Sequence, residues 1–173
     1  MRRLLSTNND LAITFARLAL GIMILAHGSQ KMLGLFGGQG FSSTMEAMTQ
    51  KMGIPSFLAF LAIVAEFFGG LGLITGTLSR LAALGVGTVM AVAMLKFHLA
   101  HGFFMNWFGN QKGEGIEFFI LALGLAAAVL IRGGGAFSVD VLITKWLEAR
   151  NRTLGSKAAI EVDASRVGAT TRG

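Results

Sequence analysis

PSFLAFLAIVAEFFGGLGLITGTL, running from Pro55 to Leu78, decides the fold. At a rise of 1.5 Å per residue, a helix of roughly 20 residues crosses a hydrocarbon core of about 30 Å. This stretch has that length and carries one ionisable side chain, Glu66, near its middle. A charge at membrane depth costs roughly 2.5–3.5 kcal/mol on insertion scales, so Glu66 is expected to face a protein interior or a wet cavity. Ala59, Ala62, Gly69 and Gly70 share its helical face, and small residues there let a second helix approach closely.

Three further segments read the same way: Leu11 to Leu33, Leu81 to Leu99 and Gly115 to Ile131. Each carries charge within it or at its end: Arg17, His27 and Lys31 in the first, Lys96, His98 and His101 around the third, Glu114 and Glu117 opening the fourth. Composition agrees with a membrane class. The chain of 173 residues is 53% hydrophobic and 14% charged, with 24 Gly, and its mean hydropathy is +0.65. The expected fold is all-α: an integral membrane four-helix bundle, one domain over residues 1–150. Arg2 and Arg3 precede the first segment without a small-residue cleavage site, so that segment is expected to stay as a helix.

The net charge of +6 is spread along loops and tail, which argues against nucleic acid and for anionic lipid as partner. The absence of Cys excludes a dithiol relay, thioether-bound haem and iron–sulfur ligation. Arg2, Arg3, Arg80, Arg132, Lys145, Arg150, Arg152, Lys157, Arg166 and Arg172 gather on one side of four spans, against Lys31, Lys51, Lys96 and Lys112 on the other. By the positive-inside rule both termini are cytoplasmic. His27, Lys31, His98, His101, Glu114 and Glu117 then lie toward the outer face, where a pocket is expected to open.

Between spans, Gly34, Gly37, Gly38 and Gly40 permit tight turns. Ser43 and Glu46 have capping-box spacing, and Met45, Met48 and Met52 recur at helical intervals, so residues 44–52 predict a short outer interfacial helix. After Gly133 to Gly135, Ser138 is placed to cap a cytoplasmic amphipathic helix over 139–150, with Asp140 in its first turn and Val139, Leu142, Ile143, Trp146 and Leu147 as its apolar stripe. Residues 151–173 are polar and rich in small residues and predict a disordered cytoplasmic tail.

Helical geometry sets which charges meet. Arg17, Leu20, Gly21, Ile24, His27, Gly28 and Lys31 fall on one face, with Lys31 about 40° and His27 about 80° from Arg17. Glu66 lies roughly 17 Å from the outer surface and Arg17 about 9 Å from the inner one, so either Arg17 or His27 is a candidate partner for Glu66. His98 and His101 share a face of the third segment.

Taken in order, Arg17-x9-His27-Gly28-x2-Lys31, Phe36-Gly37-Gly38-x-Gly40, Gly53-x-Pro55, Glu66-Phe67-x-Gly69-Gly70, Arg80-Leu81-Ala82-Ala83, His98-x3-Gly102-Phe103-Phe104 and Gly115-x-Glu117 resemble the DoxX family of small four-helix membrane proteins. The resemblance covers residues 10 to 143. It departs at Phe118, where the family commonly has Tyr, and at His101, which lies outside the pattern. It implies a bacterial or archaeal cytoplasmic (inner) membrane protein in a membrane oxidoreductase complex with quinone-linked chemistry.

A quinone needs an apolar slot, hydrogen-bonding groups at its carbonyls and a proton path. His27, Glu66, His98 and Glu117 are the candidate catalytic residues, and Arg17, His27, Lys31, Glu66 and His98 the candidate cofactor-binding set. Haem or a metal on His27, His98 and His101 ranks below a quinone. The alternative function is a noncatalytic membrane anchor or assembly subunit for a partner enzyme. Small-residue faces also leave a homo-oligomer open as an assembly.

Overall fold

The computed structural model of the protein describes residues 9–152. The described residues form helices and connecting turns, with no strand among them. In chain order they are α1 (Leu11–Leu33), α2 (Gly40–Glu46), α3 (Ser56–Thr75), α4 (Ser79–Ala93) and α5 (Glu117–Arg132), with a last helix, α6, over 139–152. The chain divides into two compact units at Val141 and Leu142. The first holds α1 to α5. In the second, Arg150 lies 5.5 Å from the Trp146 ring centroid, and Glu148 and Arg152 approach to 3.9 Å.

α1 begins where Asp10 accepts from the N–H of Ala12 at 2.9 Å, and ends at Gly34 in a left-handed turn. α2 starts at Gly40, earlier than the expected 44, and runs into a π-turn over Ala47–Lys51. Ser43 and Glu46 therefore sit inside the helix, whose cap at Gln39 makes no side-chain hydrogen bond. The capping-box reading is corrected. Ser138 does cap, since its Oγ accepts from Val141 N at 3.3 Å. Asn151 and Arg152 are still helical, and the rest of the expected tail lies outside the described residues.

α1, α3, α4 and α5 make the bundle, with α1 on α3, α3 on α4, α4 on α5 and α5 back on α1. Leu20, Ile24, Leu73, Val86, Phe119 and Val129 fill its centre. Between α1 and α3 the packing is nearly backbone on backbone. A Cβ on Gly28 would lie 2.6 Å from Phe67 Cα, and one on Gly70 would lie 2.7 Å from Leu25 N. Lipid tails are as apolar as the core, so close van der Waals approach of this kind holds membrane helices together. It also fixes the antiparallel register that places α1 charges beside α3.

α1, α3 and the run Ser79–His101 are long and apolar enough to cross a membrane. α4 reaches that length by continuing through a π segment, Met94–His98, and a short 3-10 turn, Leu99–His101. α5 has 16 residues and rises about 24 Å. α5, expected as the fourth span over 115–131, is a helix of the same bundle but shorter than a hydrocarbon core. Its start is set by the preceding loop, where Phe103 O accepts from Glu117 N at 2.9 Å and the close carbonyls of Phe103 and Phe104 leave no room for a Cβ at Gly115.

The bundle thus has a turn end, with Thr77 to Arg80 and residues 133–141, and a loop end, with residues 34–55 and 102–116.

Candidate functional site

The buried charges separate to these two ends. At the turn end Arg17 is 1% exposed, and its guanidinium donates to backbone carbonyls from two segments. Nε meets Gly134 O at 2.7 Å, Nη1 meets Ile74 O at 2.8 Å and also Leu73 O, and Nη2 meets Phe137 O at 3.4 Å. Leu73 and Ile74 close α3, whose last carbonyls have no partner within the helix. Arg17 supplies one, and the negative end of the helix dipole favours its charge. Arg17 sits with these carbonyls, away from Glu66 and the histidines.

Asp140 matches it with opposite sign. Its Oδ1 accepts from Leu78 N at 2.8 Å and its Oδ2 from Ser79 N at 2.9 Å, capping the start of α4. Leu78 has φ +49°, a left-handed conformation costly for a residue with a Cβ, and the carboxylate holds it there. The sequence reading placed Asp140 at the start of its own helix. It caps a different one.

Halfway along α3, Glu66 is 1% exposed. Its partner is Lys31, with Nζ 2.5 Å from Oε1. Neither Arg17 nor His27 takes that place. Lys31 stands near the end of α1, and its flexible stem carries the ammonium inward while the side chain stays 35% exposed. The other carboxylate oxygen, Oε2, is buried and has no hydrogen-bond partner. A buried acceptor of this kind carries a desolvation cost unless a donor meets it.

A row of rings crosses from α1 to α4. His27 lies 6.0 Å from Phe118, Phe118 lies 5.3 Å from Phe119, Phe119 lies 4.3 Å from His98, and His98 lies 6.5 Å from His101, all between centroids. His27 is exposed and His98 half-buried at the end of the π segment. π turns inside α-helices frequently mark functional positions. His98 Nδ1 is 2.9 Å from Glu114 O. A carbonyl only accepts, so Nδ1 carries the hydrogen and Nε2 presents the lone pair in the neutral ring. His101 packs its ring against Gly113, with its Nδ1 buried and unpartnered.

The two glutamates that open α5 face the loop before it. Glu117 Oε1 accepts from Met105 N at 2.7 Å and from Trp107 Nε1 at 3.2 Å, and Glu114 Oε2 accepts from Asn106 N at 2.7 Å. Two Phe rings stand between His27 and His98, so the three histidines share no single ligand sphere. Among the described residues no group of three or more His, Asp or Glu is placed to hold a metal ion. The weak metal candidates His27, His98 and His101 are corrected accordingly.

Sequence reasoning missed the Lys31 partnership, although Lys31 was on the inward face of α1 and Gly28 with Gly70 gave a signal for the α1–α3 register. No signal marked the carbonyls that Arg17 holds.

The DoxX family model matches residues 12–99. The chain is 32% identical over 141 residues to Inner membrane protein YqjF of Escherichia coli (strain K12), covering 79% of this chain and 95% of that protein. No solved structure matches. With the bundle and its buried charges, these matches place the chain in one group: it belongs to the DoxX family of membrane proteins.

Proposed function

We propose that this protein is a subunit of a membrane oxidoreductase complex, with a quinone-like ligand held at the loop end of the bundle, open to the outer face of a bacterial inner membrane. The observation that carries this reading is Glu66, buried and paired with Lys31 through one oxygen while the other has no donor. An unsatisfied acceptor at membrane depth suits the hydroxyl of a quinol, and the Lys31 ammonium suits a quinone carbonyl. A bound quinone would supply two-electron, two-proton chemistry.

The chain's own part is to position the ligand and exchange protons. Lys31 holds the Glu66 carboxylate in place. His98, with Nδ1 fixed on Glu114 O, exchanges a proton only through Nε2. His27, exposed beside Phe118, provides a second imidazole near the loop end of α1. Glu117 acts here as a positioning group, because its Oε1 already holds two loop donors. The location follows that of the similar inner membrane protein, and cytoplasmic termini follow the Lys and Arg distribution.

The test is quinol-linked turnover by the complex in native membranes carrying Glu66→Gln or His98→Ala. A loss of at least about tenfold with unchanged protein level is expected from either change, equivalent to about 1.4 kcal/mol of barrier. Intact turnover in both variants overturns the reading. The second reading, a noncatalytic anchor for a partner enzyme, is favoured by Arg17, Asp140 and Glu114, which bond to Gly134 O, Ser79 N and Asn106 N and so serve backbone. A stoichiometric partner that copurifies without bound quinone, and leaves when the outer loop is changed, selects it.

A further inference from the structure

The loop between α4 and α5 is more ordered than its glycine content suggests. Ile116 N donates to Gly102 O at 3.1 Å and Glu117 N to Phe103 O at 2.9 Å, which ties the two loop ends together. Glu117 and Glu114 receive the N–H groups of Met105 and Asn106, and Trp107 N donates to Met105 O at 2.9 Å. Asn106 closes the far side, with Oδ1 accepting from Gln111 N at 3.0 Å and Nδ2 donating to Gln111 O at 3.2 Å. Two carboxylates and an amide thus satisfy the crown of the loop from within.

What this scaffold presents is aromatic. Phe103 is 52% exposed, Phe104 67%, Trp107 79% and Phe108 90%. The indole N–H of Trp107 is taken by Glu117, so its ring is offered as an apolar surface. Such a patch has no place in water, and backbone at membrane depth is tolerated only when its polar groups are satisfied. The neighbouring helix supplies the occupant: α5 rises about 24 Å against a hydrocarbon core of about 30 Å, and this loop stands at its short end. Trp at the headgroup boundary and exposed Lys112 in the same loop match the amphipathic character of that zone.

We propose that residues 102–116 form a lipid-interface element, in which Phe103, Phe104, Trp107 and Phe108 dip into the headgroup and upper acyl region and complete the short fourth span. Glu117 and Glu114 hold the loop in the shape that inserts. This assignment does not depend on the quinone reading.

The chain has two tryptophans, so Trp146→Phe leaves Trp107 as the single emitter. The full chain carrying Trp146→Phe is placed in phosphatidylcholine/phosphatidylglycerol vesicles with phosphatidylcholine brominated near the headgroup, at mid-chain or near the chain end. Quenching by the shallow bromines at least about twofold stronger than by the chain-end bromines, with weak quenching by aqueous acrylamide, is the expected result. Adding Glu117→Ala should raise acrylamide quenching at least about twofold by releasing the loop. Strong acrylamide quenching without bromolipid quenching, meaning a loop in water, overturns the proposal. So does protection from both quenchers, meaning a loop covered by a second copy or another protein. The double variant Trp107→Phe with Trp146→Phe, which has no tryptophan, must lose the depth-dependent signal, and its persistence there counts against the assignment.

Discussion

The turn end and the loop end of the bundle both bury charge, and they use it oppositely. Around Arg17 and Asp140 the charged atoms meet backbone partners: four carbonyls for the guanidinium, two N–H groups for the carboxylate. Those partners are the loose ends of α3 and α4, so the charges close helices and join them to residues 134–140. At the loop end the ion pair of Lys31 and Glu66 leaves a carboxylate oxygen without a donor, whereas the buried atom without a partner at the turn end is the uncharged Ser79 hydroxyl. Saturated charge locks a fold, whereas charge with bonding capacity left over can serve a ligand. Burial alone does not tell them apart.

Substitutions should separate the two ends. Arg17→Met orphans carbonyls at the end of α3 and should have the largest effect, about 3–5 kcal/mol, seen as a lower unfolding midpoint in mild detergent. Arg17→Lys should recover less than half of it, because a single ammonium does not reproduce the guanidinium fork. Lys31→Met leaves Glu66 uncompensated and should cost about 2–3 kcal/mol. Adding Glu66→Gln to it should restore at least half of that loss, the signature of a coupled pair. If Lys31→Met and Glu66→Gln prove additive, the two ends differ less than their geometry says.

Smaller effects sharpen the contrast. Asp140→Ala removes the cap of α4 and frees Leu78 from its left-handed conformation, which should cost about 1–2 kcal/mol and speed amide exchange at Leu78 and Ser79. Glu117→Ala should cost about 1 kcal/mol or less, because its loss falls on the loop rather than the bundle. Faster exchange confined to residues 103–108 checks it; exchange spreading into α4 would make Glu117 a structural lock like Asp140.

The helices were legible because span length and apolarity are properties of consecutive residues. The first segment was expected over 11–33 and α1 runs Leu11–Leu33; Glu66 and Gly70 were expected to face a neighbouring helix and both are buried there. α5 starts two residues later than hydropathy predicts, because hydropathy does not register the hydrogen bonds that Ile116 N and Glu117 N donate to Gly102 O and Phe103 O. The ion pair was misassigned for a related reason. Depth was counted from the Cα positions of Arg17 and His27, while Lys31 reaches Glu66 through a long side chain and a register set by backbone contact at Gly28. Backbone acceptors have no residue type, so the ties of Arg17 left no mark in sequence. Asp140 likewise reaches Leu78 and Ser79 from 62 and 61 residues further along, and only the fold brings them together.

Quinone content of the full chain purified from native membranes, compared among wild type, Glu66→Gln and Asp140→Ala, is the most direct test of the division between a locking end and a ligand end. The account predicts near-stoichiometric quinone in the wild type, retention in Asp140→Ala despite its lower unfolding midpoint, and loss in Glu66→Gln with the midpoint little changed. Equal quinone in all three, or none in the wild type, would contradict it.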